Sequence, residues 1–219
     1  MHKTLDINGE SYIYEPVVLS YGKTKPMSLE SGKLLLRSVD EIFRSIDLPF
    51  YLCYGTLLGA IREKSLIKND EDLDVFINKE KLLYSKLPFL KLKGLELIRY
   101  VPNIVYSFRM NDDGYIDVYI LHELKWYNPW SFYCFSLESK IQPKKYFMEY
   151  EQIDFLGVKC MCPKNPESLL AFWYGDDWRT PVNGHNFCYE VKTAYYWHNF
   201  KNKVLKKLIF YEYWYRFLK

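Results

Sequence analysis

Three aspartates near the middle of the chain have the residue type and the spacing to support catalysis. Asp72 and Asp74 flank Leu73, the first residue of the apolar run LDVFI, which predicts a β-strand. Side chains two positions apart on a strand lie on the same face. Two carboxylates held so close together repel each other unless a cation or a proton lies between them. The pair therefore predicts a site for Mg²⁺ or Mn²⁺, which prefer oxygen ligands and leave coordination positions for substrate phosphates.

Asp117 lies inside YIDVYIL, an otherwise apolar run that predicts a further strand. A carboxylate in a core strand needs a partner, because burying it unpaired costs several kcal/mol. On a strand adjacent to that of Asp72 and Asp74, it would supply a third carboxylate. Such a set suits metal-assisted displacement at phosphorus. An aspartate that caps or pairs locally within a hairpin is the open alternative for Asp117.

Other interpretations of the acidic run Asn69–Asp74 are a solvated turn and a calcium loop. A calcium loop starting at Asp70 is excluded, because its sixth position is Val75 instead of glycine and its twelfth is Lys81 instead of glutamate. The solvated turn is the open alternative when the run is considered alone.

Length and composition predict one folded domain over residues 1–219. The chain is 49% hydrophobic and 26% charged, which excludes extended disorder. Its aromatic fraction of 19% favours a large core and also suits the lining of a sugar or base pocket. A net charge of +3 is too small for the clustered basic footprint of a nucleic-acid-binding protein.

The cysteines and the N-terminal residues favour a cytoplasmic protein. The five cysteines are irregularly spaced and include no CxxC pair, so they are interpreted as reduced, buried thiols. The polar residues 1–16 contain no apolar core of a secretory signal. No stretch approaches the ~20 apolar residues of a membrane-spanning helix.

The order of the predicted elements is typical of an α+β or α/β protein with a mixed sheet. Helical spacing predicts a helix over 28–46 that ends before Pro49, and a second helix over 167–173. Short strands are predicted over 50–54 and 73–77, with a turn at Gly55-Thr56 and helical turns over 57–62. Segments 104–110 and 115–121 predict a hairpin.

Several blocks between residues 30 and 181 resemble, in order, the LicD/fukutin family of the nucleotidyltransferase superfamily. The blocks are YGTLLGAIR (54–62), LIKNDEDLDV (66–75), YIDV (115–118), FLG (155–157), PK (163–164) and YGDDWRTP (174–181). The resemblance implies a small mixed β-sheet flanked by helices. It also implies transfer of a phosphorylated alcohol from a cytidine diphosphate donor to a glycan hydroxyl. Packing alone is an alternative explanation for YGDDWRTP.

The resemblance also assigns residues by position. The expected catalytic and metal-binding acids are Asp72, Asp74 and Asp117. The residues expected to bind the substrate are Gly55, Thr56, Arg62 and Asp70. A glycine–hydroxyl turn can hold a donor phosphate through backbone N–H groups and the hydroxyl, and an arginine offers a forked, charged donor. A tight turn without a ligand and a surface salt bridge are the open alternatives for these residues. The expected cofactor is Mg²⁺ or Mn²⁺.

Departures from the family pattern leave the substrate open. Lys68-Asn69 stands where the family has Pro-Trp, and Glu71 replaces the middle aspartate. Because the metal acids are retained, the reaction class is unchanged. The expected reaction is transfer of phosphocholine from CDP-choline to a glycan or glycolipid in lipopolysaccharide or capsule biosynthesis. The alternatives are a nucleotidyltransferase acting on a small acceptor and a non-catalytic glycan-binding descendant.

The C-terminal segment predicts a basic, aromatic helix over about 189–219. One interpretation is a helix that packs on the core and exposes a basic face. The other is a helix lying on the anionic inner face of the membrane, which would give peripheral membrane contact.

Overall fold

The computed structural model describes residues 2–19, 25–123, 133–137 and 140–181. The chain divides into two compact units, Met1–Ile120 with Gln152–Cys162 and Leu121–Glu151 with Pro163–Lys219. A single domain over 1–219 stays a prediction, and the predicted helix over about 189–219 lies outside the described residues. In the part of the chain that is described, no helix is long and apolar enough to cross a membrane.

Helices and strands are interspersed up to residue 92, and seven strands then precede the last described helix. Two short helical stretches are added to them, a π-helical turn Gly59–Glu63 directly after α2 and a 3-10 turn Lys144–Tyr146. In chain order the main elements are β1 (Lys3–Ile7), β2 (Glu10–Tyr14), α1 (Leu29–Ser45), β3 (Tyr51–Leu52), α2 (Tyr54–Leu58), β4 (Asp72–Ile77), α3 (Glu80–Ser85), α4 (Leu87–Leu92), β5 (Glu96–Val101), β6 (Val105–Arg109), β7 (Tyr115–Glu123), β8 (Tyr133–Leu137), β9 (Lys140–Pro143), β10 (Tyr150–Phe155), β11 (Val158–Pro163) and α5 (Pro166–Tyr174).

A mixed sheet forms the centre of the first unit. Its strand order is β10-β11-β3-β4-β7-β6-β5. Strand β4 is parallel to β7 and antiparallel to β3, while β7, β6 and β5 are successively antiparallel. With helices in the same unit, this is the α+β fold with a mixed sheet that the sequence predicts.

The two central strands explain why their acids are conspicuous in the sequence. All six residues of β4 and residues 115–121 of β7 are buried. Strands covered on both faces are near-continuous apolar runs, since neither face contacts water. A carboxylate inside such a run must be held by other protein groups or by an ion.

Helix α1 confirms the helix predicted over 28–46. Its apolar stripe is buried, and its N-cap Ser28 accepts a hydrogen bond from the Ser31 N–H at 3.1 Å. The hydroxyls of Ser28 and Ser31 both donate to Asp113 Oδ2, at 2.7 and 2.6 Å. Asp113 belongs to the turn between β6 and β7, so the predicted hairpin also fixes the start of α1.

The N-terminal hairpin β1–β2 is an element for which the sequence analysis gave no prediction. Its turn is Asn8-Gly9, and both residues have positive φ angles, 56° and 87°. Asn-Gly is a preferred pair for such two-residue turns because asparagine and glycine tolerate the left-handed region. The Gly9 N–H also donates to Asp6 Oδ1 at 3.0 Å.

In the second unit, the last residues of β7 pair with β8, and β8 pairs with β9, both in antiparallel register. Helix α5 confirms the helix predicted over 167–173 and begins with Pro166 in its first turn. It ends at Gly175, whose φ is 96°. The Trp173 indole N–H donates to Gln142 Oε1 at 3.0 Å.

Three of the cysteines, Cys53, Cys160 and Cys162, are buried thiols of the first unit and are not joined in disulfides. Burial raises the pKa of the Cys160 thiol to about 12. The sequence interpretation of reduced, buried thiols is confirmed for these three.

Candidate metal and substrate site

The parallel pairing of β4 with β7 brings the three predicted acids together. Asp74 lies directly opposite Asp117 in this register, and Asp72 is two residues before Asp74 on the same face. One carboxylate oxygen of each residue lies within 4.8 Å of the others. The prediction that Asp117 occupies a strand adjacent to the other two acids is therefore confirmed.

The electrostatics of this cluster favour a bound cation. Burial, which disfavours a charged carboxylate, is the largest cause that raises the pKa values of Asp72 and Asp74 well above their usual range. Neighbouring acids raise them further, Asp117 for Asp72 and Asp72 for Asp74, with Asp70 next for both. A set of three carboxylate oxygens fits a hard divalent cation such as Mg²⁺ or Mn²⁺, which would offset this repulsion.

Asp74 is held by the first turn of α2. The Gly55 N–H donates to Asp74 Oδ2 at 2.9 Å, and the Asp74 N–H donates to Thr56 Oγ1 at 2.6 Å. Gly55 and Thr56 were predicted as a turn before the helical turns over 57–62, able to hold a donor phosphate. They lie instead within α2 and contact Asp74 directly. Their role as phosphate ligands stays a prediction.

A side chain is excluded at Gly55 and at Gly59 for two different reasons. A Cβ atom on Gly55 would lie 3.0 Å from Asp74 Oδ2 and 3.2 Å from Asp70 Oδ2. A Cβ atom on Gly59 would lie 2.6 Å from the backbone oxygen of Ser65. Gly55 thus leaves room for the carboxylates, and Gly59 leaves room for the backbone of the loop that leads to them.

Tyr54, the first residue of α2, has a φ angle of +40°, which is strained for a bulky residue. Its ring packs edge-on against the Tyr119 ring, with centroids 5.2 Å apart. The Tyr119 hydroxyl in turn donates to Asp117 Oδ2 at 3.3 Å. This packing therefore connects the strained start of α2 to the third acid.

Asp117 is held by two residues that the sequence analysis missed. The Ser107 hydroxyl donates to Asp117 Oδ1 at 2.6 Å, and Arg99 forms an ion pair with Asp117 Oδ2. Burial raises the pKa of Asp117, and the Arg99 guanidinium opposes that increase. The available sequence signal was a polar residue within each of two apolar strands, IVYSFRM and ELIRYV.

The two other predicted substrate residues lie near the cluster in sequence but differ in their contacts. Asp70 approaches Asp74 across Gly55, as the distances from the Gly55 Cβ position indicate. Arg62 lies in the π-helical turn, and its Nε donates to Glu63 Oε1 at 2.7 Å. Asp70 therefore adds negative charge at the edge of the acid cluster, while Arg62 is paired with its chain neighbour.

Two acids lie on one strand of a mixed sheet, and a third lies on the parallel neighbouring strand. A helix with glycine as its second residue contacts them. This arrangement defines a nucleotidyltransferase-type domain. The chain belongs to the LicD/FKTN/FKRP family of nucleotidyltransferase domains, whose family model matches residues 47–165, just over half of the chain. The resemblance found in the sequence is therefore confirmed.

Comparisons with individual proteins give more distant similarities. The uncharacterized protein RP689 of Rickettsia prowazekii (strain Madrid E) is 25% identical over an alignment of 171 residues, which covers 74% of this chain and 62% of that protein. The crystal structure of the lincosamide antibiotic adenylyltransferase LnuA with lincomycin gives 12% identity and a TM-score of 0.44, covering 63% of this chain and 83% of that one. ANT(2'')-Ia in complex with adenylyl-2''-tobramycin gives 14% identity and a TM-score of 0.45, covering 83% and 98%.

Proposed function

We propose that this protein transfers a phosphorylated alcohol from a CDP-linked donor to a hydroxyl group of a glycan or glycolipid, with phosphocholine as the first candidate. The observation that carries the proposal is the convergence of three buried carboxylates within 4.8 Å in a chain of the LicD/FKTN/FKRP family. In the reaction, the acceptor oxygen forms a bond to phosphorus as the bond to cytidine monophosphate breaks. The hydroxyl proton is released.

Asp72, Asp74 and Asp117 would hold Mg²⁺ or Mn²⁺. When bound, such a cation stabilises the charge on the phosphate oxygens during displacement. We assign Asp117 to the metal and not to proton abstraction, because both of its oxygens already accept hydrogen bonds. An arginine beside a carboxylate also makes it a weaker base.

The chain's own residues would then orient the donor. Gly55 and Thr56 hold the side chain and the backbone of Asp74, and this fixes one ligand before the substrate arrives. In the proposal, Arg62 exchanges its pairing with Glu63 for a donor phosphate, which a guanidinium binds with two parallel hydrogen bonds. Asp70 increases the negative charge that attracts the cation.

The test is a product assay with CDP-choline, CDP-ribitol or CDP-glycerol, a glycan acceptor and Mg²⁺. Formation of cytidine monophosphate together with the phosphodiester supports the proposal. Asp72→Asn and Asp74→Asn are expected to abolish both products in a folded protein. Asp112→Asn is the matched control, because this side chain is 93% exposed on the β6–β7 turn. Full activity in either site variant would contradict the mechanism.

Nucleotidyl transfer is the second candidate, since the matched family domain is described as a nucleotidyltransferase domain. It would consume a nucleoside triphosphate and release pyrophosphate, so the two reactions are separated by their by-products. The non-catalytic alternative predicts neither product and no dependence on a divalent metal.

A cytoplasmic location with peripheral contact to the inner face of the membrane is part of the same proposal. The basic segment that would make this contact lies outside the described residues. Flotation with anionic vesicles should carry the wild-type chain and leave behind the variant Lys206→Glu/Lys207→Glu. Equal flotation of the two proteins would exclude this contact.

A further inference from the structure

A row of polar side chains crosses four adjacent strands and ends at the acid cluster. In the pairing registers, Arg99 on β5 is opposite Ser107 on β6, and Ser107 is opposite Asp117 on β7. Asp117 is in turn opposite Asp74 on β4. Directly opposed residues share one face of a sheet, so these four side chains lie side by side.

A β-bulge creates this row. Glu96 pairs with Arg109 and Leu97 with Phe108, so an uninterrupted ladder would next pair Ile98 with Ser107. The register shifts between Leu97 and Arg99, and Arg99 takes the position opposite Ser107. Bulges occur next to active sites, where the additional residue changes the direction of a side chain. Without this bulge, a buried isoleucine would oppose Ser107.

The contacts along the row fix both oxygens of Asp117. The Arg99 Nε donates to Ser107 Oγ at 2.7 Å, so the Ser107 hydroxyl proton is directed to Asp117 Oδ1, 2.6 Å away. A second nitrogen of the same guanidinium pairs with Asp117 Oδ2. Because guanidinium is planar and rigid, these contacts define the plane of the carboxylate as well as its position.

We propose that Arg99, acting directly and through Ser107, is a positioning residue for the third metal-binding carboxylate. The pair holds Asp117 so that its remaining lone pair is presented to the cation shared with Asp72 and Asp74. This inference rests on the metal site of the proposed function. A residue that served only as a counter-charge would act in the opposite direction. Its removal would make the site more negative, and the cation would bind more tightly.

Mn²⁺ alone is the probe, and its dissociation constant is measured by electron paramagnetic resonance on the full chain stripped of metal. Arg99→Met is expected to weaken Mn²⁺ binding by about 10- to 100-fold, as the loss of a residue that orients a ligand does. Arg109→Met is the matched control. Arg109 lies on β6 with 31% side-chain exposure against 23% for Arg99, and it pairs with Glu96 and Asp112. Its substitution should leave the affinity unchanged.

Ser107→Ala separates position from charge, because it removes one hydrogen bond to Asp117 without altering the net charge. It is expected to weaken Mn²⁺ binding, and Arg99→Lys should fall between the wild type and Arg99→Met. Thermal unfolding of each metal-free variant reports folding, and Ser107→Ala decides the question if Arg99→Met does not fold.

Unchanged or tighter Mn²⁺ binding in folded Arg99→Met would overturn the proposal, as would wild-type affinity in Ser107→Ala. A wild-type chain that binds no Mn²⁺ overturns it as well. Intact Mn²⁺ binding without cytidine monophosphate formation would overturn the proposed reaction only, and the affinities of the variants would still decide the role of Arg99.

Discussion

At the scale of single residues, the three acids of the site are not equivalent. Asp117 is paired with Arg99 and receives hydrogen bonds on both oxygens. The carboxylate of Asp74 accepts a backbone N–H, but burial and the neighbouring acids still raise its pKa well above the usual range. In the absence of a metal, the charged form of Asp74 therefore destabilises the folded protein.

This difference predicts that Asp74→Asn stabilises the metal-free protein while abolishing metal binding. The amide oxygen of asparagine can still accept the Gly55 N–H, whereas the repulsion among the acids is reduced. We expect a gain of about 1 kcal/mol in urea unfolding with a chelator present, the usual size for relief of an unfavourable functional site. Asp112→Asn is the control and should leave the free energy of unfolding unchanged. A less stable Asp74→Asn would contradict the electrostatic account.

The pH dependence of that gain has a definite sign. A carboxyl whose pKa is higher in the folded state binds more protons there than in the unfolded chain, between the two pKa values. Its contribution to stability therefore falls as the pH rises from about 4, the unfolded value, through the raised folded value. The stability difference between Asp74→Asn and the wild type should grow over the same range. Urea unfolding of both metal-free proteins at several pH values measures it, and a pH-independent difference would refute the assignment.

At the scale of elements, α2 and its π-helical extension carry two glycines with separable roles. Gly59→Ala would place its Cβ 2.6 Å from the Ser65 carbonyl oxygen, which is backbone and cannot rotate away. We expect this variant to lose about 1–3 kcal/mol of stability, as overpacked sites do. In Gly55→Ala the new atom meets the carboxylates of Asp74 and Asp70 instead. That variant should lose Mn²⁺ affinity with a smaller loss of stability.

The two glycine variants therefore act as controls for each other when both unfolding and Mn²⁺ binding are measured. Equal losses of stability and of affinity in both would show that one structural defect underlies them. The separation of roles predicted here would then be wrong.

The contact between α1 and the β6–β7 turn depends on the charge of Asp113, whose effect on stability can be measured. The hydroxyls of Ser31 and Ser28, with Lys25 nearby, lower the pKa of Asp113 to about 2. A lowered folded pKa stabilises the protein above the unfolded value of 3.8, and this contribution is lost as the pH falls to about 2. Asp113→Asn should therefore lower the melting temperature near neutral pH and have a diminishing effect in acid. Asp112→Asn, in the same turn, should have no effect at either pH.

The strands and helices that short residue patterns specify could be predicted from the sequence. The strands around Asp72 and Asp117 were predictable because buried strands are continuous apolar runs with few polar exceptions. The N-terminal hairpin was missed although Asn8-Gly9 is a strong turn signal. Arg99 and Ser107 could not be assigned to the site, since Ser107 meets Asp117 through the register of β6 with β7, and Arg99 takes its place beside Ser107 only through the bulge in β5. Bulges and registers are fixed by non-local pairing, which no residue pattern within β5 specifies.

At the scale of the whole molecule, the coupling between metal and donor binding distinguishes the candidate reactions. A ligand that binds only the folded state stabilises it by mass action, by about 2.7 kcal/mol at 100 times its dissociation constant. For a chain of 219 residues this corresponds to a melting temperature increase of about 5–10 °C. We expect CDP-choline to give such a shift with Mg²⁺ and a much smaller one with a chelator, because the acids repel a diphosphate unless a cation lies between them.

Asp72→Asn should abolish the Mg²⁺-dependent part of that shift, and Asp112→Asn should retain it. A shift with cytidine triphosphate and Mg²⁺, but with none of the CDP conjugates, would favour nucleotidyl transfer over the proposed reaction.

Because the pKa values of Asp72 and Asp74 are raised, the difference between the shifts with Mg²⁺ and with a chelator should be larger near neutral pH than in acid. A larger charged fraction of these carboxylates strengthens the attraction for the cation, so the Mg²⁺-dependent shift should increase with pH. A shift that is equally large with the chelator would mean that the donor binds without the three acids.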